Sequence, residues 1–204
     1  MQMSKYDWKD NELKRMVSEK EEELLSKKRA KELYDKKIME NFEVGTFKGL
    51  QQIHEYLFKD IFEDAGKIRE KNFSKGGVRF ASAIFLKDNL KTLDKIPEST
   101  FENIIDKYVE MNILHPFNEG NGRSMRIWFD RMFIKNLGIC IDWSKINPAE
   151  YLQAMEQSPV NTLELRTLLE KNITKDIDNR EIYMHGINQS YKYENMYEYD
   201  IEKI

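Results

Sequence analysis

His115, Glu119, Arg123 and Arg126 stand close together in one stretch, Leu114–Arg126, which reads LHPFNEGNGRSMR. Gly120-Asn121-Gly122 sits at the mouth of a predicted helix. Glycines on either side of an asparagine let successive backbone N–H groups converge on one spot, a nest for an anion. The helix that follows adds its own free N–H groups and its positive end. A plain turn also fits these three residues by themselves, and no G-x-x-x-x-G-K-[ST] loop occurs in the chain. Arg123 and Arg126, spaced i,i+3, share one side of the first helical turn. A helix N-terminus disfavours cations, so two arginines there cost stability unless a multiply charged anion, such as a di- or triphosphate, joins them. Glu119 would repel such an anion unless a cation lay between them; one carboxylate plus phosphate oxygens and waters is the usual way Mg²⁺ is held. His115 closes the preceding helix and could take the proton from a hydroxyl that attacks a phosphate. Solvated arginines, an exposed loop Glu and a surface His would each be ordinary alone. Together they describe phosphoryl or nucleotidyl transfer.

The elements that must position these groups are helical. Gly 9 and Pro 4 in 204 residues are low, and helix formers dominate. Pro97-Glu98-Ser99-Thr100-Phe101-Glu102 reads as a helix start, with Ser99 and Glu102 as a capping box. Phe101, Ile104, Ile105, Tyr108 and Val109 form its apolar stripe, and Pro116 stops the helix near Leu114. The next helix spans about Gly122 to Leu137, with Met125, Phe129, Met132 and Phe133 facing the core and Gly138 as its stop. Leu50, Ile53, Leu57, Phe58 and Ile61 mark an earlier buried helix, on which His54 reads as structural. Gly76-Gly77 between Phe73 and Val78/Phe80 predicts a β-hairpin. Residues 10–40 read as a charged, solvated helix or two. Helices are expected over Pro148–Met155, Asn161–Asn172 and Asp178–Tyr199. The expected fold is all-α with one small β-hairpin.

Lys+Arg 33 against Asp+Glu 36 gives a net charge of −3, which argues against a nucleic-acid binder that works by charge. One cysteine and three histidines disfavour a disulfide framework or a structural zinc site. No apolar stretch is long enough for a membrane span, and the charged N-terminus lacks a signal core, so a cytoplasmic protein is expected.

The stretch from His115 to Arg126 matches the Fic signature H-x-F-x-[DE]-G-N-G-R-x-x-R at every fixed position. The chain resembles the short, single-domain bacterial Fic proteins of the class represented in Neisseria, over about Val44 to Tyr199. The resemblance implies a helical protein adenylyltransferase that transfers AMP from ATP to a Tyr, Ser or Thr hydroxyl and releases pyrophosphate. It implies His115 as general base and Glu119 as the holder of Mg²⁺. Gly120, Asn121 and Gly122 would bind phosphate oxygens within a nucleotide site that also takes in Asn118. Arg123 would bind the polyphosphate and Arg126 the γ-phosphate. Lys75 would reach the nucleotide, and Leu152 and Met155 would line the adenine pocket. Gly76, Gly77, Val78, Arg79 and Phe80 match the family's flap, which docks a target strand by backbone pairing.

Ser190 and Glu194, spaced i,i+4 on a Tyr-rich helix, read by themselves as a polar face. Beside the Fic motif, Ser190-Tyr191-Lys192-Tyr193-Glu194-Asn195 matches the inhibitory pattern [ST]-x-x-x-E-[GN]. The resemblance then implies that Glu194 pairs with Arg126 and displaces the γ-phosphate, while Tyr191 is the matching site of self-adenylylation. The domain expectation is a charged extension over 1–40, a Fic core over 41–180 and an inhibitory helix and tail over 181–204. The implied partners are subunits of DNA gyrase and topoisomerase IV and a second copy of the chain, with no direct nucleic-acid or membrane partner. Another Fic reaction (AMP removal, UMP or phosphoryl transfer) and a non-catalytic interaction module are the alternatives.

Overall fold

The computed structural model describes residues 15–75 and 78–204, with Lys75 and Val78 described by backbone alone. Among these residues eight α-helices follow in order: α1 (Glu19–Asp35), α2 (Phe47–Phe58), α3 (Leu86–Leu93), α4 (Phe101–Leu114), α5 (Asn121–Leu137), α6 (Pro148–Gln157), α7 (Leu163–Glu170) and α8 (Arg180–Lys192). Two short antiparallel pairs complete the fold: β1 (Ser74–Lys75) with β2 (Val78–Arg79), and β3 (Cys140–Ile141) with β4 (Ile173–Thr174). The helical class and the hairpin agree with the sequence reading. No helix among the described residues is long and apolar enough to cross a membrane.

The helix α5 is the central strut. Met125, Trp128, Phe129, Met132 and Phe133 are all buried on it, and α2, α4 and α8 pack around it. The stripes expected on α2 and α4 face this core: Leu50, Ile53, Leu57, Phe58, Ile104 and Ile105 are completely buried. Gly138 takes φ 64 and ends α5, because only a residue without a Cβ enters the left-handed region at no steric cost.

Four expectations need correction. The described part of the charged segment, 15–40, is not a solvated helix: α1 packs against α2 and α8, and Glu22, Glu23, Ser26 and Lys27 are buried beside Ala30 and Leu33. Its buried face carries charges that pair inside, such as Lys27 with Glu23 at 2.8 Å, so hydropathy alone could not reveal it. The N-cap of α4 is Thr100, whose hydroxyl accepts from the Asn103 N–H, while Ser99 Oγ donates to the Asn103 side chain. The last helix stops at Lys192 instead of Tyr199, because Asn195 adopts φ 61 and the Met196 N–H reaches back to the Tyr191 carbonyl. That is a Schellman-type ending, and Asn is the best residue after Gly for it. The β3–β4 pair went unread because two-residue strands carry no period.

Candidate active site

His115 owes its place to the break after α4. Pro116 disfavours helical backbone in its predecessor, and His115 takes φ 46, ψ 64 while its N–H still donates to the Met111 carbonyl. This left-handed turn aims the imidazole at the hairpin. Its ring stacks on Phe80 with centroids 3.8 Å apart and on Phe73 at 5.4 Å. The hairpin expected as the flap is therefore stacked on the candidate base. Gly76, Gly77 and the side chains of Lys75 and Val78 lie outside the described residues, so those four assignments stay with the sequence reading.

The loop from Phe117 to Asn121 is held from within. The buried Asn121 side chain accepts from the Phe117 N–H at 3.0 Å and donates to the Phe117 carbonyl at 2.8 Å. This commits the Asn121 side chain to the loop and leaves a backbone role in anion binding. Gly120 takes φ 77, and a Cβ there would stand 2.5 Å from the Phe58 ring, so glycine is required on both counts. His54 ties the loop to the core: its Nε2 donates to the Glu119 carbonyl at 2.8 Å, and its Nδ1 accepts from the Gly66 N–H at 3.0 Å. A donor on one side and an acceptor on the other suit a neutral ring, and burial pushes the His54 pKa down to about 3. Asn118 donates to the Asp64 carboxylate.

Glu119 is partly exposed, accepts from the Gly120 N–H at 3.0 Å and lies 3.5 Å from Arg123. A single accessible carboxylate fits a Mg²⁺ that arrives on a nucleotide's phosphates and keeps several waters. Among the described residues no group of three or more His, Cys, Asp or Glu could hold a metal by itself.

The two motif arginines, alike in sequence, have different surroundings. Arg123 is 1 % exposed and pairs with the buried Glu22 of α1 at 2.8 Å, between the rings of Phe58 and Tyr191 at 4.7 and 5.4 Å. Arg126 turns to α8: its Nε donates to Ser190 Oγ at 2.6 Å and its Nη2 to the Ser190 carbonyl at 2.8 Å. Glu194 Oε1 lies 3.8 Å from Arg126 Nη2 and against Gly122, where it would crowd a Cβ at 2.8 Å. The Tyr193 ring covers the guanidinium at 4.8 Å.

These parts meet at one open cleft. It brings together His115, Gly122, Arg126, Leu152, Met155, Arg79, Phe80 and Glu194. Arg123, turned toward Glu22 of α1, is not among the residues that line the cleft, and neither is its neighbour Glu119. Tyr191 is 1 % exposed, and Lys27 and Arg123 lie over its ring, so its hydroxyl is shut away from the cleft. Sequence reasoning missed Tyr108 and Tyr151, which line the cleft with hydroxyls 2.5 Å apart, and missed Glu22 and Arg69. Tyr108 could have been flagged as the polar-tipped member of the α4 stripe; Glu22 and Arg69 carry no local signal.

Comparison with known proteins bears on these observations. Residues 45–133 match the Fic/DOC family. The chain is 28 % identical over 135 residues to the "Probable protein adenylyltransferase Fic" of Salmonella typhimurium, covering 60 % of this chain and 67 % of that protein. It is 30 % identical over 158 residues to "Protein adenylyltransferase VbhT" of Bartonella schoenbuchensis, covering 69 % of this chain but only 32 % of that protein. Among solved structures, the N-terminal Fic domain of a Bep effector from Bartonella sp. AR 15-3 superposes with a TM-score of 0.66 at 21 % identity, over 78 % of this chain and 84 % of that one. BepC from Bartonella tribocorum, solved with bound AMPPNP, gives 0.60 at 22 % identity, over 76 % and 85 %.

Proposed function

On the match of residues 45–133 to the Fic/DOC family, we propose that the chain is a Fic-type protein adenylyltransferase held in a restrained state by its own C-terminal segment. The observation that carries this reading is the cleft in which His115, the N-terminus of α5 and Arg126 converge beside the hairpin. Triphosphate oxygens lie along the free N–H groups at the start of α5, where the dipole favours negative charge. A target hydroxyl, offered by a strand on the flap, attacks the α-phosphorus in line with the bridging oxygen to the β-phosphate. His115 takes the hydroxyl proton, the new O–P bond forms, and the old bond breaks to release pyrophosphate. Mg²⁺ held through Glu119 would neutralise the charge on the α- and β-phosphates. The proposed targets are the type II topoisomerase subunits, gyrase and topoisomerase IV, that the resemblance implies.

Restraint follows from where Glu194 sits. Like charges about 4 Å apart at an effective dielectric near 20 repel by roughly 4 kcal/mol. A γ-phosphate on Arg126 would meet that repulsion and would compete with Ser190 for the same guanidinium. Self-adenylylation at Tyr191 first requires α8 to leave its seat, since the hydroxyl is buried. The test is intact-protein mass after incubation with ATP and Mg²⁺. Glu194→Gly gains about 329 Da per AMP moiety on a protein hydroxyl and wild type gains little. Equal gain in both sinks the restraint; no gain in either, with purified target subunits present, sinks the transferase reading.

A further inference from the structure

Arg69 lies outside the motif, between α2 and the hairpin, yet it is only 2 % exposed. Its guanidinium donates to four main-chain carbonyls. Nε reaches the His115 carbonyl at 2.7 Å and Nη1 the Lys71 carbonyl at 2.6 Å. Nη2 is shared between the carbonyls of Ala81 at 2.6 Å and Leu114 at 3.0 Å. Its own N–H donates to the Pro116 carbonyl at 2.8 Å.

These partners belong to separate pieces of the site. Leu114 and His115 hold carbonyls at the end of α4, where a helix leaves acceptors unpaired and its dipole is negative. A buried cation is at home there. Lys71 and Ala81 are the two legs of the hairpin, just before β1 and just after β2. One planar fork thus ties the base-bearing turn to both legs of the flap whose Phe73 and Phe80 flank the His115 ring. The Ala81 N–H adds a main-chain bond to Ile113 of α4 at 3.0 Å, while the Phe80 N–H bonds Phe73 within the hairpin.

We infer that Arg69 is a positioning residue for adenylyl transfer, setting the flap and His115 in one fixed relation so that a strand-docked hydroxyl arrives at the imidazole. This rests on the transferase reading. Arg69 touches neither Arg126 nor the start of α5, so it acts on the hydroxyl side of the reaction and leaves the nucleotide side alone. Lysine cannot replace it: an ammonium carries three donors on one atom and does not span four carbonyls.

The experiment compares Glu194→Gly with Glu194→Gly/Arg69→Lys. Three quantities are read: the rate of AMP mass gain, ADP affinity by calorimetry, and amide hydrogen exchange at Phe80 and Ala81. A displacement of about 1 Å in a reacting group costs about 10²-fold in rate. The expected result is a rate loss of about that size, ADP affinity unchanged within about twofold, and faster exchange at both amides. An unchanged rate, or a rate loss matched by an equal loss of ADP affinity, overturns the proposal. Should Glu194→Gly with Arg69 intact gain no AMP, the transferase reading is what fails. Exchange at Phe80 and Ala81 then decides the clamp, and unchanged protection in Arg69→Lys overturns it. Arg69→Gln, with fewer donors, is the second variant; if neither folds, Arg69 is a folding residue and the proposal falls.

Discussion

The two ends of the described chain both grip α5, but in different ways. On one side α1 presents a fully buried Glu22 to Arg123 at 2.8 Å, with Arg15 on the same carboxylate at 2.7 Å and the Phe58 and Tyr191 rings against the Arg123 guanidinium. On the other side α8 meets Arg126 through a hydroxyl, a carbonyl and a looser carboxylate at 3.8 Å that is 20 % exposed. A dry ion pair cannot be opened without stranding a charge. A contact made of neutral acceptors and a half-wet carboxylate can be opened and remade. The α1 grip is therefore suited to holding the fold and the α8 grip to control.

The largest expected effect breaks the first grip. Glu22→Ala leaves Arg123 buried without its principal counter-charge and lowers unfolding free energy by about 3–5 kcal/mol. Glu194→Gly, by contrast, changes it by less than about 1 kcal/mol while raising AMP transfer. Urea titrations of both variants check the pair, and equal losses would erase the distinction. Next comes Ser190→Ala, which removes the 2.6 Å partner of Arg126 Nε. It costs about 1–3 kcal/mol and gives an AMP gain between wild type and Glu194→Gly in the same mass assay.

The smallest effect concerns pH. Asp130, one turn beyond Arg126, accepts from Trp143 Nε1 at 2.6 Å and from the Ile141 N–H at 3.1 Å, yet burial pushes its pKa up to about 7. The folded protein then binds this proton more tightly than the unfolded chain does. Asp130's contribution is full below its ordinary value of 3.8 and is lost as pH rises to about 7. Melting temperatures of Asp130→Asn and wild type at pH 5 and pH 8 test this. The variant gains on wild type at the higher pH, and the opposite trend refutes the assignment.

Much of the site was legible because its chemistry is contiguous. His115, the Gly-Asn-Gly turn and Arg126 are neighbours along the chain, and a helix start converts their spacing directly into a shared surface. Gly120 and Gly138 were readable for the same reason, since a positive φ is a local demand. Asn195 was readable as part of a pattern, but its work was hidden. It takes the left-handed region that closes the end of α8, directly after the Glu194 that lies against Gly122. The solvated-helix reading of 10–40 failed over 15–40 because opposite charges cancel one another only across space. Lys27, besides Glu23, meets the Tyr199 carbonyl at 2.5 Å, a partner far away in the chain.

By itself, the sequence determined the helical class, the hairpin and the Fic signature with its candidate catalytic residues, all of which depend on residue types at short, regular spacing. Only the tertiary structure decided which arginine faces the cleft and which is buried under α1. It alone placed Tyr191 under Arg123 and joined His115 to the flap through Arg69. The reason is physical: a buried charge is tolerated only where its partners converge in three dimensions. Here those partners are a distant carboxylate and main-chain carbonyls, and carbonyls are the same in every residue.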